Sequence, residues 1–374
     1  MSRSTRSRPI YIAQPDLPPL EALLPHLQQI WDSRILTNNG PYHQRFEAAL
    51  RDAADGIEVS LCANGTLALV IALQALRIAG EVITTPYTFV ATSHALVWNG
   101  ITPVFVDIDP ESLNIDPNRI EAAITPRTTA ILAVHCYGRP CDVESIQRIA
   151  DIYNLKVIYD AAHAFGVYDE GGSILRHGDL AITSFHATKV FTTFEGGAIF
   201  TKDERLKRRI DYLKNFGFYD EVTVIAPGIN GKMSEFCAAL GLVQLDHFSA
   251  YVAHRSKIDK LYRNALSDIP GITCLTLPRL CKYNYSYFPV LVGEKYPLTR
   301  DALHDALKRH GFYCRRYFYP PITDFSPYKG LAGASRDQLT HTYSISSKVL
   351  CLPIHSGVAE EDAERLANLI RKVP

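Results

Sequence analysis

The region from about residue 66 to residue 201 constrains the fold most, because helical and strand patterns alternate along it. Segments with helical periodicity are "TLALVIALQALRIA", "TFVATSHALVWNG" and "DVESIQRIADIYN", and strand-like runs are "EVITT", "PVFVDID", "KVIYD", "DLAITSF" and "GAIFT". Gly80 is expected to cap the first helix and Asp142 to begin the third. Continuous apolar strands separated by helices predict an α/β fold with a mostly parallel sheet covered on both faces.

The pattern changes after Asp203. A loop rich in Gly and Pro leads into a long helical region over residues 233–266, and strands and helices from about Gly271 suggest a smaller α+β unit. Near the N terminus, "PPLEALLPHLQQIWDSRILTNNGPY" predicts a helix followed by a polar turn. We therefore predict two domains: residues 1–248, comprising an N-terminal arm and a large α/β domain, and residues 249–374, a smaller C-terminal α+β domain.

Composition narrows the functional class. The 374 residues are 47% hydrophobic and carry a formal net charge of +0, which allows a large core and argues against a duplex nucleic-acid binder. The longest apolar stretch contains Gln74 and Arg77 and is short for a membrane span, which needs about 20 residues. The basic start "MSRSTRSRP" is not followed by an apolar segment, so it is not a secretory signal. The eight cysteines form no C-x-x-C pair and suggest reduced thiols in a cytoplasmic protein.

One lysine stands out in the run "TSFHATKVFTTFEGGAIFT", where Lys189 lies among apolar, hydroxylated and glycine residues. A solvated surface lysine is the ordinary reading, whereas a buried lysine is costly unless it is paired or used covalently. Asp160 ends the strand "KVIYD" and Ser184 lies near the end of "DLAITSF". Ligands of open α/β sheets bind beyond the carboxyl ends of strands, so we expect these three residues on one rim.

Two further segments complete a candidate cofactor site. "CANGTLAL" places Gly65 and Thr66 at the start of a helix, where backbone N–H groups suit a phosphate. "TTPYTFVAT" supplies Tyr87 and Phe89 after a strand. Pyridoxal 5'-phosphate (PLP) requires a lysine, an acidic partner for its pyridine nitrogen and a phosphate site. The residues therefore favour PLP as the ligand.

Plainer readings exist for the same residues. Asp160 could be a helix N-cap and Phe89 a core aromatic residue. His163 and His186 could bind a metal, but no H-E-x-x-H spacing supports that, and "HCYGRPC" offers too few ligands for a structural zinc site, which needs about four. "GTLALV" lacks the lysine of a P-loop, and no G-x-G-x-x-G is present, so ATP and NAD are poorly supported. We predict no metal site.

Seven motifs in one order carry a family resemblance. They are "NGTLAL", "TTPYTFVAT", "PVFVDIDPESLNIDP", "AVHCYGRPCD", "IYDAAHAFG", "SFHATKVFTTFEGGAIFT" and "GINGKMSEFCAALGLVQL". The chain resembles the sugar aminotransferases of the DegT/DnrJ/EryC1/StrS family, which are PLP enzymes of the aspartate aminotransferase fold type I that act on nucleotide-linked keto sugars. The resemblance implies that the large domain binds PLP.

The resemblance also implies residue roles. Lys189 would form the Schiff base, Asp160 would pair with the pyridine nitrogen, and His163 would lie near the ring oxygen. Phe89 would stack on the ring. The phosphate would be held by Gly65, Thr66 and Ser184.

A homodimer with active sites at the interface follows from the same resemblance. Asn230, in "GINGKM", would reach the phosphate from the other subunit. Lys232 departs from the family pattern, since many relatives carry arginine there, and lysine cannot make a planar two-point contact.

The resemblance extends to the reaction. "SFHATK…EGG" is similar to enzymes that aminate a 4-keto sugar, whereas 3-aminating enzymes more often read "SFYP.KN…GDGG". "LTNNGPYHQ" and "DAAHAFG" are most similar to viosamine-type enzymes, which convert dTDP-4-keto-6-deoxyglucose to dTDP-4-amino-4,6-dideoxyglucose for surface polysaccharides such as O-antigen. L-Glutamate would be the amino donor. The candidates for substrate contact are Asn38, His186, Arg315 and Arg316, and the two arginines could equally lie in a surface turn.

Two other classes share the fold. A related dehydratase branch carries histidine in place of the Schiff-base lysine, and Lys189 argues against it. A non-catalytic regulator would not need an intact lysine, aspartate and phosphate site.

Overall fold

The computed structural model describes residues 8–372, which form ten α-helices and fourteen strands. The helices are α1 (Leu20–Ser33), α2 (Pro41–Ala53), α3 (Gly65–Ala75), α4 (Val90–Trp98), α5 (Val143–Tyr153), α6 (Glu204–Leu213), α7 (Glu235–Leu266), α8 (Arg300–Arg309), α9 (Thr340–Lys348) and α10 (Glu360–Lys372). The strands are β1 (Ile10–Tyr11), β2 (Glu58–Cys62), β3 (Glu81–Thr84), β4 (Thr102–Phe105), β5 (Thr128–Val134), β6 (Lys156–Asp160), β7 (Tyr168–Asp169), β8 (Gly172–Ser173), β9 (Leu180–Ser184), β10 (Gly197–Thr201), β11 (Ile272–Cys274), β12 (Phe288–Val292), β13 (Phe312–Tyr313) and β14 (Val349–Leu352).

A seven-stranded sheet in the order β2-β10-β9-β6-β5-β3-β4 forms the centre of the molecule. Only β10 runs antiparallel to its neighbours, so the predicted mostly parallel sheet is confirmed. Alternate side chains of each strand enter separate hydrophobic clusters on the two faces: Val157 and Tyr159 of β6 point to one, and Ile158 to the other. The strands are apolar throughout because helices cover both faces.

Predicted and observed elements agree most closely at β6 and β10, which match "KVIYD" and "GAIFT" from end to end. Asp142 caps α5 as predicted, since its Oδ1 accepts the Ser145 N–H at 3.0 Å. The first predicted helix is shorter than expected: α3 ends at Ala75 rather than at the glycine cap. Arg77 adopts a left-handed conformation with φ 56°, which breaks the helical path before Gly80.

The N-terminal helix α1 was predicted, but α2 was not. The polar turn between them contains Asn38 and Asn39, both with left-handed φ angles of 62° and 58°. The backbone N–H groups at the start of α2 have no partner within the helix, and a buried carboxylate from α7 accepts them. Glu235 accepts the N–H of Tyr42 at 2.7 Å and that of His43 at 2.9 Å. A cap supplied from so far along the chain cannot be read from the neighbouring residues, and the local start signal of α2 is Pro41 at its first position.

Helix α7 connects two hydrophobic cores. Val243 belongs to the core of the large sheet and Ile258 to a second core that contains the antiparallel sheet β11-β12-β14. The N-terminal segment joins this second core as well, because β1 pairs in parallel with β13 and Ile10 is one of its buried residues. The proposed boundary between the large and small domains, at residue 248, falls within α7.

The same helix is the only one in the described part of the chain that is long and apolar enough to cross a membrane by length and composition. It packs against α1, α2 and α10. A single helix of this kind is weak support for a membrane span, because core helices satisfy the same criterion. All eight cysteines are free thiols.

Candidate active site

A cavity of about 600 Å³ opens beyond the carboxyl ends of β6 and β9. Eight of the residues predicted from sequence line it, namely Gly65, Thr66, Phe89, Asp160, His163, Ser184, His186 and Lys189. The described residues therefore bring most of the predicted site together on one rim of the sheet.

Asp160 is the last residue of β6 and is buried. Turns rather than a helix follow it, so the N-cap reading does not apply. Its Oδ2 accepts the Thr92 hydroxyl at 2.8 Å and its Oδ1 accepts the Ala162 N–H at 3.1 Å. Burial raises the pKa of the carboxyl group, and these two hydrogen bonds oppose that rise. A cationic group in the cavity would restore the charge on this carboxylate.

Lys189 lies in the turn between β9 and β10, where its N–H donates to the His186 carbonyl at 2.9 Å. Its Nζ has no hydrogen bond or ion pair with any residue that the structure describes. Burial lowers the pKa of the amine from 10.5 to about 8, although the Asp160 carboxylate opposes this change. A large fraction of the amine is therefore neutral near pH 8, which is the form that reacts as a nucleophile or a base.

His163 is buried beside the lysine, and its Nδ1 accepts the Tyr137 N–H at 3.2 Å. Burial lowers the pKa of the imidazole well below its ordinary value, so the ring is neutral and carries its proton on Nε2. His163 can thus donate one hydrogen bond from Nε2 to a ligand in the cavity.

The start of α3 forms a site for an anion. Asn64 caps the helix by accepting the Leu67 N–H at 2.8 Å, while the N–H groups of Gly65 and Thr66 have no acceptor within residues 8–372. Ser184 approaches from β9, and a Cβ atom on Gly65 would lie only 2.8 Å from the Ser184 Cβ. Free N–H groups and hydroxyls at a helix N-terminus suit a phosphate, and glycine leaves the space for it.

Gly65→Ala is expected to weaken cofactor phosphate binding by at least about tenfold, because the added methyl clashes with Ser184 and displaces its hydroxyl from the anion site. Fluorescence titration of the cofactor-free protein with PLP measures the effect. Gly293→Ala is the matched control, since its nearest neighbour is the Gly271 carbonyl oxygen at 3.5 Å, an ordinary contact. Equal PLP affinity in the two variants would remove Gly65 from the phosphate site.

Aromatic residues form another part of the cavity wall. Phe89 precedes α4 and is 57% exposed, so it is available to a ligand rather than buried in the core. Tyr287, Tyr317 and Phe318 also line the cavity and were not predicted. They come from the C-terminal part of the chain. Tyr317 and Phe318 lie in the run "CRRYFYPP", directly after the two arginines that were predicted to contact the substrate.

His186 and Glu195 lie at the mouth of the cavity. The His186 Nε2 is 3.6 Å from the Glu195 Oε1, and both side chains are largely exposed. Glu195 is a fourth residue of the cavity that was not predicted, although it begins the quoted "EGG". The pair offers both a donor and an acceptor to a substrate entering the site.

Four of the predicted residues do not line the cavity of their own chain, namely Asn38, Asn230, Arg315 and Arg316. Arg316 binds Asp301 at 2.8 Å, and Arg315 is exposed with its backbone paired to Cys351. Asn38 and Asn230 are exposed on separate loops. No arginine is among the described residues that line the cavity.

The motif "HCYGRPC" does not assemble a metal site. His135 Nδ1 accepts the Cys141 N–H at 3.0 Å, which holds the ring inside the core. Residues 8–372 contain no group of three or more His, Cys, Asp or Glu side chains placed to hold a metal ion.

Comparison with known families decides the class. Residues 21–371 match the model of the DegT/DnrJ/EryC1/StrS aminotransferase family. The chain belongs to this family. It is therefore an aminotransferase-family enzyme, and its fold is that of the sugar aminotransferases.

Three relatives illustrate the similarity. The dTDP-4-amino-4,6-dideoxy-D-glucose transaminase of Shigella dysenteriae is 53% identical over 98% of this chain and 99% of its own length. The GDP-perosamine synthase of Caulobacter vibrioides is 33% identical over 96% of this chain and 99% of its own length. The crystal structure of DesI with its TDP-sugar product superposes with a TM-score of 0.93 at 37% identity, covering 98% of this chain and 93% of DesI.

Proposed function

We propose that this aminotransferase uses PLP to transfer an amino group from L-glutamate to carbon four of dTDP-4-keto-6-deoxyglucose, giving dTDP-4-amino-4,6-dideoxyglucose. One observation carries the substrate: the 53% identity to a dTDP-4-amino-4,6-dideoxy-D-glucose transaminase over nearly the full length of both chains. We also propose that it acts in the cytoplasm, in the synthesis of a surface polysaccharide such as O-antigen.

The residues of the cavity fit PLP. Lys189 offers an unpaired amine, and Asp160 offers a buried carboxylate for the pyridine nitrogen. The N–H groups of Gly65 and Thr66, with the Ser184 hydroxyl, suit the phosphate. The orphaned N–H groups and the space that a Cβ on Gly65 would fill support this assignment. When bound, the cofactor supplies an electron sink that stabilises negative charge on the carbon being deprotonated.

Each side chain then has a defined task. The neutral Lys189 amine would remove a proton from the donor carbon in one half-reaction, and its protonated form would protonate carbon four of the sugar in the other, because its lowered pKa of about 8 lets it act in both directions near neutral pH. The Asp160 carboxylate would keep a proton on the pyridine nitrogen of the bound cofactor. The His163 Nε2–H would be the donor for its ring oxygen, and Phe89 would supply an aromatic contact to the ring.

Product analysis tests the proposal. Purified protein, PLP and glutamate are incubated with a panel of nucleotide-linked 3-keto and 4-keto sugars, and the products are identified by mass spectrometry and NMR. An equatorial amine at carbon four of the dTDP sugar is expected. Exclusive amination of a 3-keto sugar would refute the position, and an axial amine at carbon four would keep the position but exclude this product.

We further propose a homodimer whose subunits share each site. Arginine side chains commonly bind anionic substrates, and no arginine within residues 8–372 lines the cavity. We propose that a second subunit supplies the additional polar and cationic groups. The loop over residues 214–232 carries Asn230 and Lys232 and exposes Phe216, Val222 and Ile225 to the surface. Lys232 Nζ donates to the Asn215 Oδ1 at 2.8 Å, which holds the loop in one shape. A second copy would cover this apolar surface.

Mixing two inactive variants tests the shared site. A Lys189→Ala subunit and an Asn230→Ala subunit are expected to regain activity when refolded together, because one site of the heterodimer then has both residues intact. At most about half of the wild-type activity per heterodimer is expected, since only one of its two sites is complete. Mixing Lys189→Ala with Asp160→Asn is the control: both residues lie in one cavity of one chain, so each site of that heterodimer lacks one of them and the mixture should stay inactive. No recovery of activity in the first mixture, or no more recovery than in the control, would contradict a crossing Asn230.

A further inference from the structure

Tyr137 occupies an unusual position beside the candidate site. It follows β5, is fully buried, and has a left-handed backbone with φ 56° although it is not glycine. A buried aromatic residue in that conformation persists only when its surroundings hold it in place. Its contacts identify what those surroundings are.

The hydroxyl group of Tyr137 connects two distant segments. It donates to the Tyr317 carbonyl, and its oxygen lies 2.6 Å from the Tyr87 hydroxyl. Because the Tyr137 proton is used on the carbonyl, the proton of this pair comes from Tyr87. The Tyr87 hydroxyl also lies 3.2 Å from the same carbonyl, so it supports the Tyr137 hydroxyl and is close enough to donate to the carbonyl if that hydroxyl is removed.

The rest of Tyr137 contacts both sides of the cavity. Its carbonyl accepts the Ser286 hydroxyl at 2.7 Å and the Tyr283 hydroxyl at 2.9 Å. Its ring lies parallel to that of Phe318, with 6.0 Å between centroids. Its backbone N–H is the group that binds His163. One residue therefore connects the histidine of the candidate cofactor site to the C-terminal wall.

Resting on the proposed function, we propose that Tyr137 is a positioning residue whose hydroxyl, with that of Tyr87, fixes the Tyr317–Phe318 wall at the distance from His163 that the nucleotide-linked keto sugar requires. Phe318 is parallel to the His163 ring at 6.0 Å between centroids, so movement of this wall changes the width of the cavity. The keto carbon must come within about 3–3.5 Å of the reacting nitrogen, so a small displacement has a large effect.

The two reactants depend on the wall to different extents. A nucleotide sugar is large enough to touch the wall formed by Tyr317 and Phe318, whereas glutamate is small and reacts next to Lys189. Loss of the Tyr137 hydroxyl should therefore affect the sugar half-reaction and leave the glutamate half-reaction nearly unchanged. The backbone N–H to His163 is retained in a Tyr→Phe variant, so the histidine stays in place.

Tyr137→Phe is compared with Tyr159→Phe. Tyr159 is an equally buried tyrosine whose hydroxyl has no partner within the described residues, so its loss should be neutral. Tyr137→Phe is expected to raise KM for the keto sugar about fivefold, the size of one lost hydrogen bond. The glutamate half-reaction should stay within about twofold, because its contacts are unchanged. Adding Tyr87→Phe should raise the KM of the sugar more than the two single effects combined, since each tyrosine can replace the other at the carbonyl.

A measurement on the cofactor-free protein completes the test. Hydrogen–deuterium exchange of the peptide spanning residues 315–322 is expected to be faster in Tyr137→Phe than in Tyr159→Phe. Equal exchange, or equal KM values for the sugar, would overturn the proposal, as would a parallel loss in both half-reactions. If the wild-type protein aminates no keto sugar, the proposed function fails, and the exchange experiment still decides whether Tyr137 fixes the wall.

Discussion

Replacing Lys189 with alanine should reduce transamination by at least ~10³-fold, within the range that a positioned acid–base group contributes, and leave the fold intact. The Nζ atom makes no hydrogen bond or ion pair with the described residues, so its removal breaks no structural contact. Removing a partly desolvated amine also removes its burial penalty, and the melting temperature should not fall. Steady-state rates and thermal unfolding of the variant measure the two effects.

Lys189→Arg is the matched control, because arginine keeps the positive charge but does not lose its proton at any ordinary pH. It should be as inactive as Lys189→Ala if the neutral amine is what matters. Borohydride reduction of the wild-type holoenzyme, followed by peptide mapping, should locate the cofactor on Lys189. A labelled peptide that lacks Lys189, or substantial turnover in the alanine variant, would contradict the assignment.

Asp160→Asn should lower activity by at least about a hundredfold, as expected for loss of a preorganised electrostatic contact. The amide has the shape of the carboxylate but no charge, so it cannot hold a proton on the pyridine nitrogen. Burial of Asp160 makes the effect large, because no solvent compensates the missing charge. PLP should still bind through its phosphate, and kcat should fall more than cofactor affinity.

Thr92→Val distinguishes the effect of the Asp160 charge from the effect of the hydrogen bond that Asp160 accepts. This variant keeps Asp160 but removes the hydroxyl that donates to its Oδ2 at 2.8 Å. A loss of at least about tenfold, but smaller than that of Asp160→Asn, is expected, because one hydrogen bond to a charged group contributes about 1.5–3 kcal/mol. Near-wild-type turnover in Asp160→Asn, or a larger loss in Thr92→Val than in Asp160→Asn, would argue against the pyridine pairing.

The part of the fold that could be predicted is the part written in local patterns. Strand β6 is predicted from end to end because each of its residues is apolar or marks its end, and Asp142 announces the start of α5. Helix α2 was not predicted: its cap is the distant Glu235 of α7, and its local start signal is only Pro41 at the first position. The early end of α3 depends on the conformation of Arg77, which propensity alone does not reveal.

The candidate site likewise contains residues that local patterns predict and residues that only tertiary packing brings to the cavity. Asp160, Ser184 and Lys189 follow strands of the sheet, and the rule for parallel sheets brings them to one edge. Tyr287, Tyr317 and Phe318 reach the cavity from the second core through tertiary packing, so no spacing in the sequence joins them to Lys189. The arginines beside them are turned to other partners, as Arg316 is to Asp301.

The unbroken course of α7 has a consequence for unfolding. Its first half is packed in the core of the large sheet and its second half in the C-terminal core, while the buried pair of Asp16 and Arg255, 2.8 Å apart, ties the N-terminal segment to its middle. Loosening either core would therefore expose one half of a shared helix and weaken the other core. The two cores should therefore melt in one cooperative transition. Cutting the chain at residue 248 would interrupt α7 and place Asp16 and Arg255 on different fragments.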